Sequence, residues 1–303
     1  MKKQIITNDI PVIKELIKGI LGHDSYNDLQ RMGGLTNHTY KVVLPDGKIY
    51  VIRIPGEGTE YLINRSDEKV STLLACKLNI DTELLHFGED GTKVSLYIED
   101  AQTMSACSMR SLEHIKQAAD IFRTLHTCGV DTKVAFDVFD MAANYEAFLI
   151  NNNVDLYEDY PQVKEQVMII RKEIKSQQNI PLVPCHNDPL CENWIEGNNR
   201  LYLIDWEYAG MNDGMWDLAD LSIEADYSKE QDEVLLNTYF GRNATADERK
   251  RLLGNKIYLD YLWTLWGKTR VPYDGEPMQL YADERYIRLK NNLKKYTNNL
   301  EEK

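Results

Sequence analysis

Two neighbouring segments of the chain place histidine, carboxylate and amide side chains at close, ordered spacing. Residues 185–194 contain a histidine, then Asp188 and then Asn193, and an apolar run after them ends at Asp205, with Glu207 close behind. Phosphoryl transfer needs a carboxylate that orients the attacking hydroxyl, and oxygen ligands for the Mg²⁺ that bridges the phosphates. Asp188 suits the first role. Asn193 and Asp205 suit the second, because Mg²⁺ takes hard oxygen ligands, and Glu207 is a further candidate metal ligand.

The order and spacing of these residues are similar to the paired kinase motifs H-x-D-x-x-x-x-N and D-F-G. Pro189 favours a loop directly after Asp188. Residues 196–199 predict a hairpin turn between Asn193 and Asp205. A polar loop beside a buried strand is the alternative interpretation, and it fits any one of these residues taken alone. The complete ordered set favours a catalytic site.

Composition limits the classes of protein and partner. The chain has 303 residues, of which 43% are hydrophobic, so it is long enough for one large domain or for two lobes. Its net charge of −13 argues against nucleic acid or an anionic membrane as the main partner. The five cysteines show no metal-ligand spacing. The N-terminus has no apolar core region of signal-peptide length, and no apolar run is long enough to span a bilayer. These features predict a cytoplasmic protein with reduced thiols.

The letters of the two segments, HNDPLCEN and LIDWEY, resemble the choline/ethanolamine kinase family, and the bacterial choline kinases in particular. That family belongs to the aminoglycoside-phosphotransferase-like branch of the protein-kinase-like superfamily. GGLTN at residues 33–37, LHTCG at 125–129 and LWTLWG at 262–267 extend the resemblance over most of the chain. It implies an α+β, two-lobed protein-kinase-like fold. A small antiparallel-sheet N-lobe would occupy residues 1–99 and cover the nucleotide, and a mostly helical C-lobe would occupy residues 100–303.

The predicted N-lobe holds the candidate nucleotide contacts. Strand and turn patterns predict about five strands and one main helix there. The glycine pair of GGLTN lacks side chains where backbone could approach phosphates, although such a pair alone is commonly just a turn. The resemblance places adenine at the connection between the lobes. The residues predicted to contact the nucleotide at these places are Gly33, Gly34, Thr36, Asn37, Ile98 and Glu99.

Arg53 is the lone charge in the apolar strand pattern of residues 49–54. It could simply face outward from an alternating strand. The resemblance instead implies a phosphate-holding cation, a role for which the planar fork of an arginine is suited. Such a cation needs a carboxylate partner on the following helix, predicted over residues 65–78. Glu68 is the predicted partner and Asp67 the alternative.

Trp263 and Trp266 lie one helical turn apart and therefore on one face of a predicted helix. A buried core stripe is the plain interpretation of such a pair. The resemblance implies that the two tryptophans wall the quaternary ammonium of a substrate. Other residues predicted to line the acceptor site are Tyr208, Glu224, Asp226 and Tyr227. The resemblance also implies that Asp217 supports the catalytic loop through hydrogen bonds. The last helix, over residues 278–296, is predicted to be a solvated closing helix.

Taken together, the resemblance implies an ATP- and Mg²⁺-dependent kinase that phosphorylates the hydroxyl of choline. Ethanolamine and aminoglycosides are the alternative acceptors, and a catalytically inactive nucleotide-binding pseudokinase is the alternative of another class. The expected partner is a small cationic alcohol. The oligomeric state stays open.

Overall fold

The computed structural model describes residues 5–32, 37–56, 63–177 and 180–301. In chain order its helices and strands are α1 (Asp9–Gly19), β1 (Asp28–Arg31), β2 (Asn37–Val43), β3 (Ile49–Pro55), α2 (Arg65–Lys77), β4 (Leu84–Phe87), β5 (Lys93–Leu96), β6 (Gln102–Thr103), α3 (Ala106–Met109), α4 (Leu112–His126), α5 (Val138–Asn151), α6 (Tyr160–Gln177), β7 (Leu182–Cys185), β8 (Trp194–Gly197), β9 (Arg200–Leu203), β10 (Gly210–Asp213), α7 (Met215–Glu224), α8 (Lys229–Phe240), α9 (Ala246–Asp274) and α10 (Glu276–Glu301).

These elements form two compact units. The first unit comprises Met1–Ser105 and Cys191–Gly210, and the second comprises Ala106–Leu190 and Met211–Lys303. The predicted single boundary between residues 99 and 100 does not reproduce this division. The physical reason is strand pairing, since β6 and the β8–β9 hairpin form one three-stranded sheet in the order β6-β8-β9.

The first unit is built on a five-stranded antiparallel sheet in the order β1-β2-β3-β5-β4. Alternation along the strands sends Tyr40, Val42 and Ile52 into a core that they share with Ile13 and Ile17 of α1. The predicted sheet and its main helix are therefore present. The hairpin between β8 and β9 turns at Asn198 and Asn199, whose φ angles are 51° and 60°. Two successive positive φ angles are typical of the tight turns that fit strand twist.

The second unit is mostly helical, and α9 packs against α5, α6, α7 and α10. Thr245 caps α9 in a reciprocal capping box with Glu248. The prediction of a solvated α10 is wrong, because one side of this helix is buried. Gly275 ends α9, and α10 packs along it with Leu289 and Tyr296 inside the core. The other strands, β7 and β10, pair with each other.

None of the helices among the described residues is long and apolar enough to span a membrane.

Candidate active site

The loop that carries Asp188 is held by a buried carboxylate of α7. Asp217 is fully buried and accepts hydrogen bonds from the backbone N–H groups of His186 and Asn187, each at 2.8 Å. Asn187 has a φ of 66°, and its carbonyl accepts a hydrogen bond of 3.0 Å from the Trp216 indole. These bonds fix the backbone directly before Asp188. The predicted support of the catalytic loop by Asp217 is present as a set of contacts.

His126, Cys185 and Asp217 bring their side-chain ligand atoms within 4.8 Å of one another, a distance that could suit a metal ion. The contacts of the three residues point to a structural role instead. His126 lies 3.0 Å from Asp217 through Nε2 and 2.9 Å from the Tyr239 hydroxyl through Nδ1. Burial raises the pKa of the Cys185 thiol well above its usual range, which disfavours the thiolate that a metal needs. The cluster therefore supports the loop.

In the first unit, Arg53 of β3 forms the predicted ion pair with Glu68 of α2, at 2.5 Å. The partner of Arg53 is therefore Glu68 and not the alternative, Asp67. Glu68 also binds Arg65 at 2.7 Å and Lys93 at 3.2 Å, which the sequence did not reveal. Burial alone would raise the pKa of Glu68, but these three cations outweigh it and lower that pKa to about 2. Arg53 is thus held by an ionised carboxylate.

Asp205 and Glu207 lie beside this cluster, just after β9. Asp205 adopts a φ of 71° and lies 3.4 Å from the Arg53 guanidinium. Glu207 accepts a hydrogen bond of 3.2 Å from the Asn37 amide and lies 3.5 Å from Arg65. The backbone around Asp205 is fixed, because the N–H before it, on Ile204, donates to the Asn193 carbonyl at 3.0 Å. The first unit therefore brings Asp205 close to Arg53 and Glu207 close to Arg65, with the Asn193 backbone beside Ile204.

The donor set of this region fits Mg²⁺. It consists of two carboxylates and an amide oxygen, which are hard ligands of the kind that Mg²⁺ prefers. Burial and the neighbouring Asp205 raise the pKa of Glu207, so the region favours added positive charge. The Asp205 side chain is 34% exposed and the Glu207 side chain only 6% exposed. Asp205 with Asn193 therefore suits direct coordination better than Glu207, which its protein partners already hold.

The predicted adenine contacts belong to the first unit. Ile98 is buried against Ile195 and Tyr202, and Glu99 is exposed. The β8–β9 hairpin approaches this segment so closely that a Cβ on Gly197 would lie 2.6 Å from the Glu99 carbonyl oxygen. Glycine is required there for steric reasons. Three other predicted nucleotide contacts, Gly33, Gly34 and Thr36, lie outside the described residues.

A cavity of about 670 Å³ also opens in the first unit. The end of α2, the segment after it and the β8–β9 turn form its walls; representative residues are Cys76, Asp81, Tyr97, Ile98, Glu99 and Arg200. Arg53, Glu68, Asp205 and Glu207 do not line it. We therefore do not assign the nucleotide phosphates to this cavity.

In the second unit, three aromatic side chains form an aromatic wall, which consists of Trp263, Trp266 and Tyr281. The ring centroids of Trp263 and Trp266 are 5.9 Å apart, and those of Trp266 and Tyr281 are 5.7 Å apart, both edge to face. Trp263 is buried, whereas Trp266 and Tyr281 are half-buried. Sequence reasoning missed Tyr281, because it lies on α10 and no spacing within one helix shows which neighbour packs against it.

The aromatic wall lies within electrostatic range of Asp188. Burial raises the pKa of the Tyr281 hydroxyl, Arg285 acts in the opposite direction, and Glu224, Asp220 and Asp188 add to the rise. Asp188 therefore acts on the same aromatic ring that packs against Trp266.

The other predicted acceptor residues have partners of their own. Glu224 accepts a hydrogen bond of 2.5 Å from Arg285. Asp226 is exposed and lies 3.2 Å from Arg110. Tyr227 is buried and its hydroxyl donates to the Met109 carbonyl at 2.8 Å. These contacts account for Asp226 and Tyr227 without a ligand. The remaining predicted residue, Tyr208, belongs to the first unit.

Comparisons of the sequence and of the structure with known proteins agree on one family. The family model described as choline/ethanolamine kinase matches residues 29–261. Protein LicA of Haemophilus influenzae is 31% identical to this chain over 262 residues, which cover 84% of this chain and 76% of that protein.

Two solved structures are similar over nearly the whole chain. A choline/ethanolamine kinase family protein from Mesorhizobium loti has a TM-score of 0.83 and 35% identity, and the match covers 94% of each chain. Choline kinase LicA from Streptococcus pneumoniae has a TM-score of 0.80 and 32% identity, with 96% of this chain and 100% of that chain covered. The predicted α+β, kinase-like fold is confirmed.

Proposed function

Because the chain belongs to the choline/ethanolamine kinase family, we propose that it transfers the terminal phosphoryl group of ATP to the hydroxyl of choline. The observation that carries this proposal is the aromatic wall of Trp263, Trp266 and Tyr281 in the same unit as Asp188. Choline kinase LicA from Streptococcus pneumoniae, which is similar over nearly the whole chain, supports the same acceptor. A cytoplasmic location stays a prediction.

Asp188 is the residue that acts on the acceptor. Its carboxylate orients the choline hydroxyl and accepts the proton as the oxygen forms its bond to the terminal phosphorus and the bond to the leaving ADP oxygen breaks. Asp217 keeps Asp188 in place through the backbone of His186 and Asn187. Asp217 is therefore a positioning residue.

The residues of the first unit act on the nucleotide. Arg53, kept ionised and oriented by Glu68, binds phosphate oxygens. Asn193 and Asp205 would hold Mg²⁺, with Glu207 adding negative charge beside them. When bound, Mg²⁺ would neutralise the negative charge of the phosphates. The protein holds these groups in position before the substrate binds.

Choline is favoured over ethanolamine by the chemistry of the wall. A trimethylammonium group has no N–H donor, so aromatic rings can surround it at no hydrogen-bonding cost, and each ring contributes about 0.5–2 kcal/mol. Burial of each methyl adds about 0.8 kcal/mol. The primary ammonium of ethanolamine has three donors that aromatic faces leave unsatisfied, at a cost of about 1–3 kcal/mol.

The proposal is tested by coupled measurement of ADP formation with choline, ethanolamine and an aminoglycoside as acceptors. We expect the largest kcat/KM with choline. A larger value with ethanolamine or the aminoglycoside would reassign the acceptor, and no ADP formation with any of them would indicate a pseudokinase.

Replacement of Trp266, a half-buried residue of the aromatic wall, tests the acceptor site. Trp266→Ala should raise the KM for choline about tenfold or more, because more than about 1 kcal/mol of ring contact and methyl burial is lost. The KM for ATP should stay within about twofold, and Trp266→Phe should restore part of the choline affinity. If both tryptophans are only core residues, the melting temperature falls while the choline KM of the folded enzyme stays unchanged.

A further inference from the structure

Asp220 is a buried carboxylate that the mechanism above does not use. It lies in α7, is 1% exposed, and neither of its carboxylate oxygens has a hydrogen-bond donor among the residues that the structure describes. Buried carboxylates are normally paired or hydrogen-bonded, because burial of an unpaired charge is costly. Asp220 is therefore an exception that requires a physical explanation.

The helix places Asp220 among the residues of the acceptor side. Asp217 is one turn before it and holds the loop of Asp188, and Glu224 is one turn after it on the same face. Burial, Glu224 and Asp188 raise the pKa of Asp220 well above its usual range, against the opposing effect of Arg285. The position of Asp220 is thus rich in negative charge and short of positive charge.

The nearby arginines make their ion pairs with other acids. Arg285 donates to Glu224 at 2.5 Å through Nη2, while its Nη1 lies 3.7 Å from Asp260 and has no hydrogen-bond acceptor among the described residues. Arg288 donates hydrogen bonds of 2.7, 2.9 and 3.1 Å to Asp260. Glu224 and Asp260 each have an arginine, and Asp220 is the carboxylate of this group without a donor among the described residues. One additional positive charge would balance the negative charge of these three carboxylates.

We propose that Asp220 is the counter-charge for the substrate's cationic head group, and that it sets the preference for a charged over a neutral alcohol. This inference rests on the proposed function, and it adds a specificity residue to that site. A quaternary ammonium presents only methyl groups, so a carboxylate can compensate its charge without any hydrogen bond. The aromatic wall then selects the methylated shape of the head group, while Asp220 selects its charge.

A neutral molecule of the same shape separates charge from packing. In 3,3-dimethyl-1-butanol a tert-butyl group replaces the trimethylammonium group of choline. The molecule therefore keeps the shape that contacts the aromatic rings but carries no charge. The wild type, Asp220→Asn and the control Glu165→Gln are compared. Glu165 is an exposed acid in the middle of α6, so Glu165→Gln removes one negative charge from the surface of the same unit. The KM for choline, the KM for ATP and the inhibition constant of the neutral alcohol are measured on each.

For Asp220→Asn we expect the KM for choline to rise about tenfold or more, since one charge–charge contact in a partly buried site is lost. The inhibition constant of the neutral alcohol and the KM for ATP should stay within about twofold, and Glu165→Gln should behave as the wild type. An unchanged choline KM would overturn the inference. An equal loss for choline and for the neutral alcohol would overturn it as well, because Asp220 would then act only through packing.

A second variant and the activity of the wild type complete the test. If Asp220→Asn does not fold, Asp220→Ser removes the same charge with a smaller side chain, and the same comparison applies. If the wild type does not phosphorylate choline, the proposed function is wrong. If the wild type is active and the charge-removing variant is unchanged, the function stands and only the role of Asp220 is wrong.

Discussion

At the scale of single residues, Arg53 and Glu68 should act as one unit on the nucleotide. Arg53→Ala or Glu68→Ala alone should lower kcat/KM for ATP, because each change leaves a buried charge without its partner. The double variant should lose less than the sum of the two, with a coupling of about 1 kcal/mol or more. A double-mutant cycle measured on kcat/KM for ATP gives this value. Losses that add within about 0.5 kcal/mol would show that the pair does not act together.

Glu68 should also make the stability of the protein depend on pH. Its pKa in the folded chain is about 2, below the usual value of 4.5, so ionised Glu68 stabilises the fold above the unfolded pKa. This contribution is lost as the pH falls from about 5 towards 2. Urea unfolding of the wild type and Glu68→Gln should show a stability difference that is constant from pH 7 to 5. The difference should then shrink by about 1 kcal/mol at pH 4, and a constant difference would contradict the assignment.

The sequence revealed the residues whose partners follow from element order. The strand of Arg53 precedes the helix of Glu68, and a kinase-like arrangement pairs them. The sequence did not reveal Arg65 and Lys93, which complete the cation set around Glu68 from one turn away and from another strand. Exposed and buried charges look alike in a sequence, because burial is decided by packing between distant segments.

At the scale of elements, the β8–β9 hairpin should control the predicted adenine contacts. Gly197→Ala would push against the Glu99 carbonyl and the Ile98 side chain. We expect a KM for ATP that rises about tenfold with a nearly unchanged KM for choline. Gly19→Ala is the matched control, because a Cβ there has nothing within 4 Å. A normal ATP KM for Gly197→Ala, measured by the same coupled assay, would mean that the segment does not bind adenine.

Elements whose hydrophobic pattern is strong were predicted well, and α10 was not. The apolar strand pattern of residues 49–54 corresponds to β3 (Ile49–Pro55). Helix α10 carries many charged residues, so it reads as solvated, yet several of them lie inside ion-pair networks. Arg285 and Arg288 are bound to acids of α7 and α9. Burial of paired charge is invisible to a hydrophobicity pattern. Tyr281 was missed because spacing within one helix does not show which neighbouring helix packs against it.

At the scale of the whole molecule, chain order and compact units do not coincide. Residues 191–210 follow the Asp188 loop in sequence but belong to the first unit. The motif that the sequence presents as one catalytic stretch therefore divides its residues, with Asp188 in the second unit and Asn193 and Asp205 in the first. A sequence pattern shows spacing along the chain, and it cannot show which strand the following hairpin joins.

This division predicts that turnover and nucleotide binding can be lost separately. Asp188→Asn should lower kcat about a hundredfold to ten-thousandfold, as expected for loss of a general base. It should leave the affinity for Mg²⁺ and ATP within about twofold of the wild type, because Asp188 is assigned to the hydroxyl. Asp205→Asn should instead weaken ATP binding in the presence of Mg²⁺. Calorimetric titration of ATP into both variants, with and without Mg²⁺, measures these affinities.

The metal-free titrations make this comparison specific. Without Mg²⁺, Asp205→Asn should bind ATP at least as tightly as the wild type, since the lost carboxylate then has no cation to hold and repels phosphate. The added Mg²⁺ should therefore strengthen binding in the wild type and in Asp188→Asn much more than in Asp205→Asn. If Asp188→Asn also loses the Mg²⁺ effect, Asp188 is a metal ligand and not the base. If it keeps wild-type turnover, another group must accept the proton of the hydroxyl.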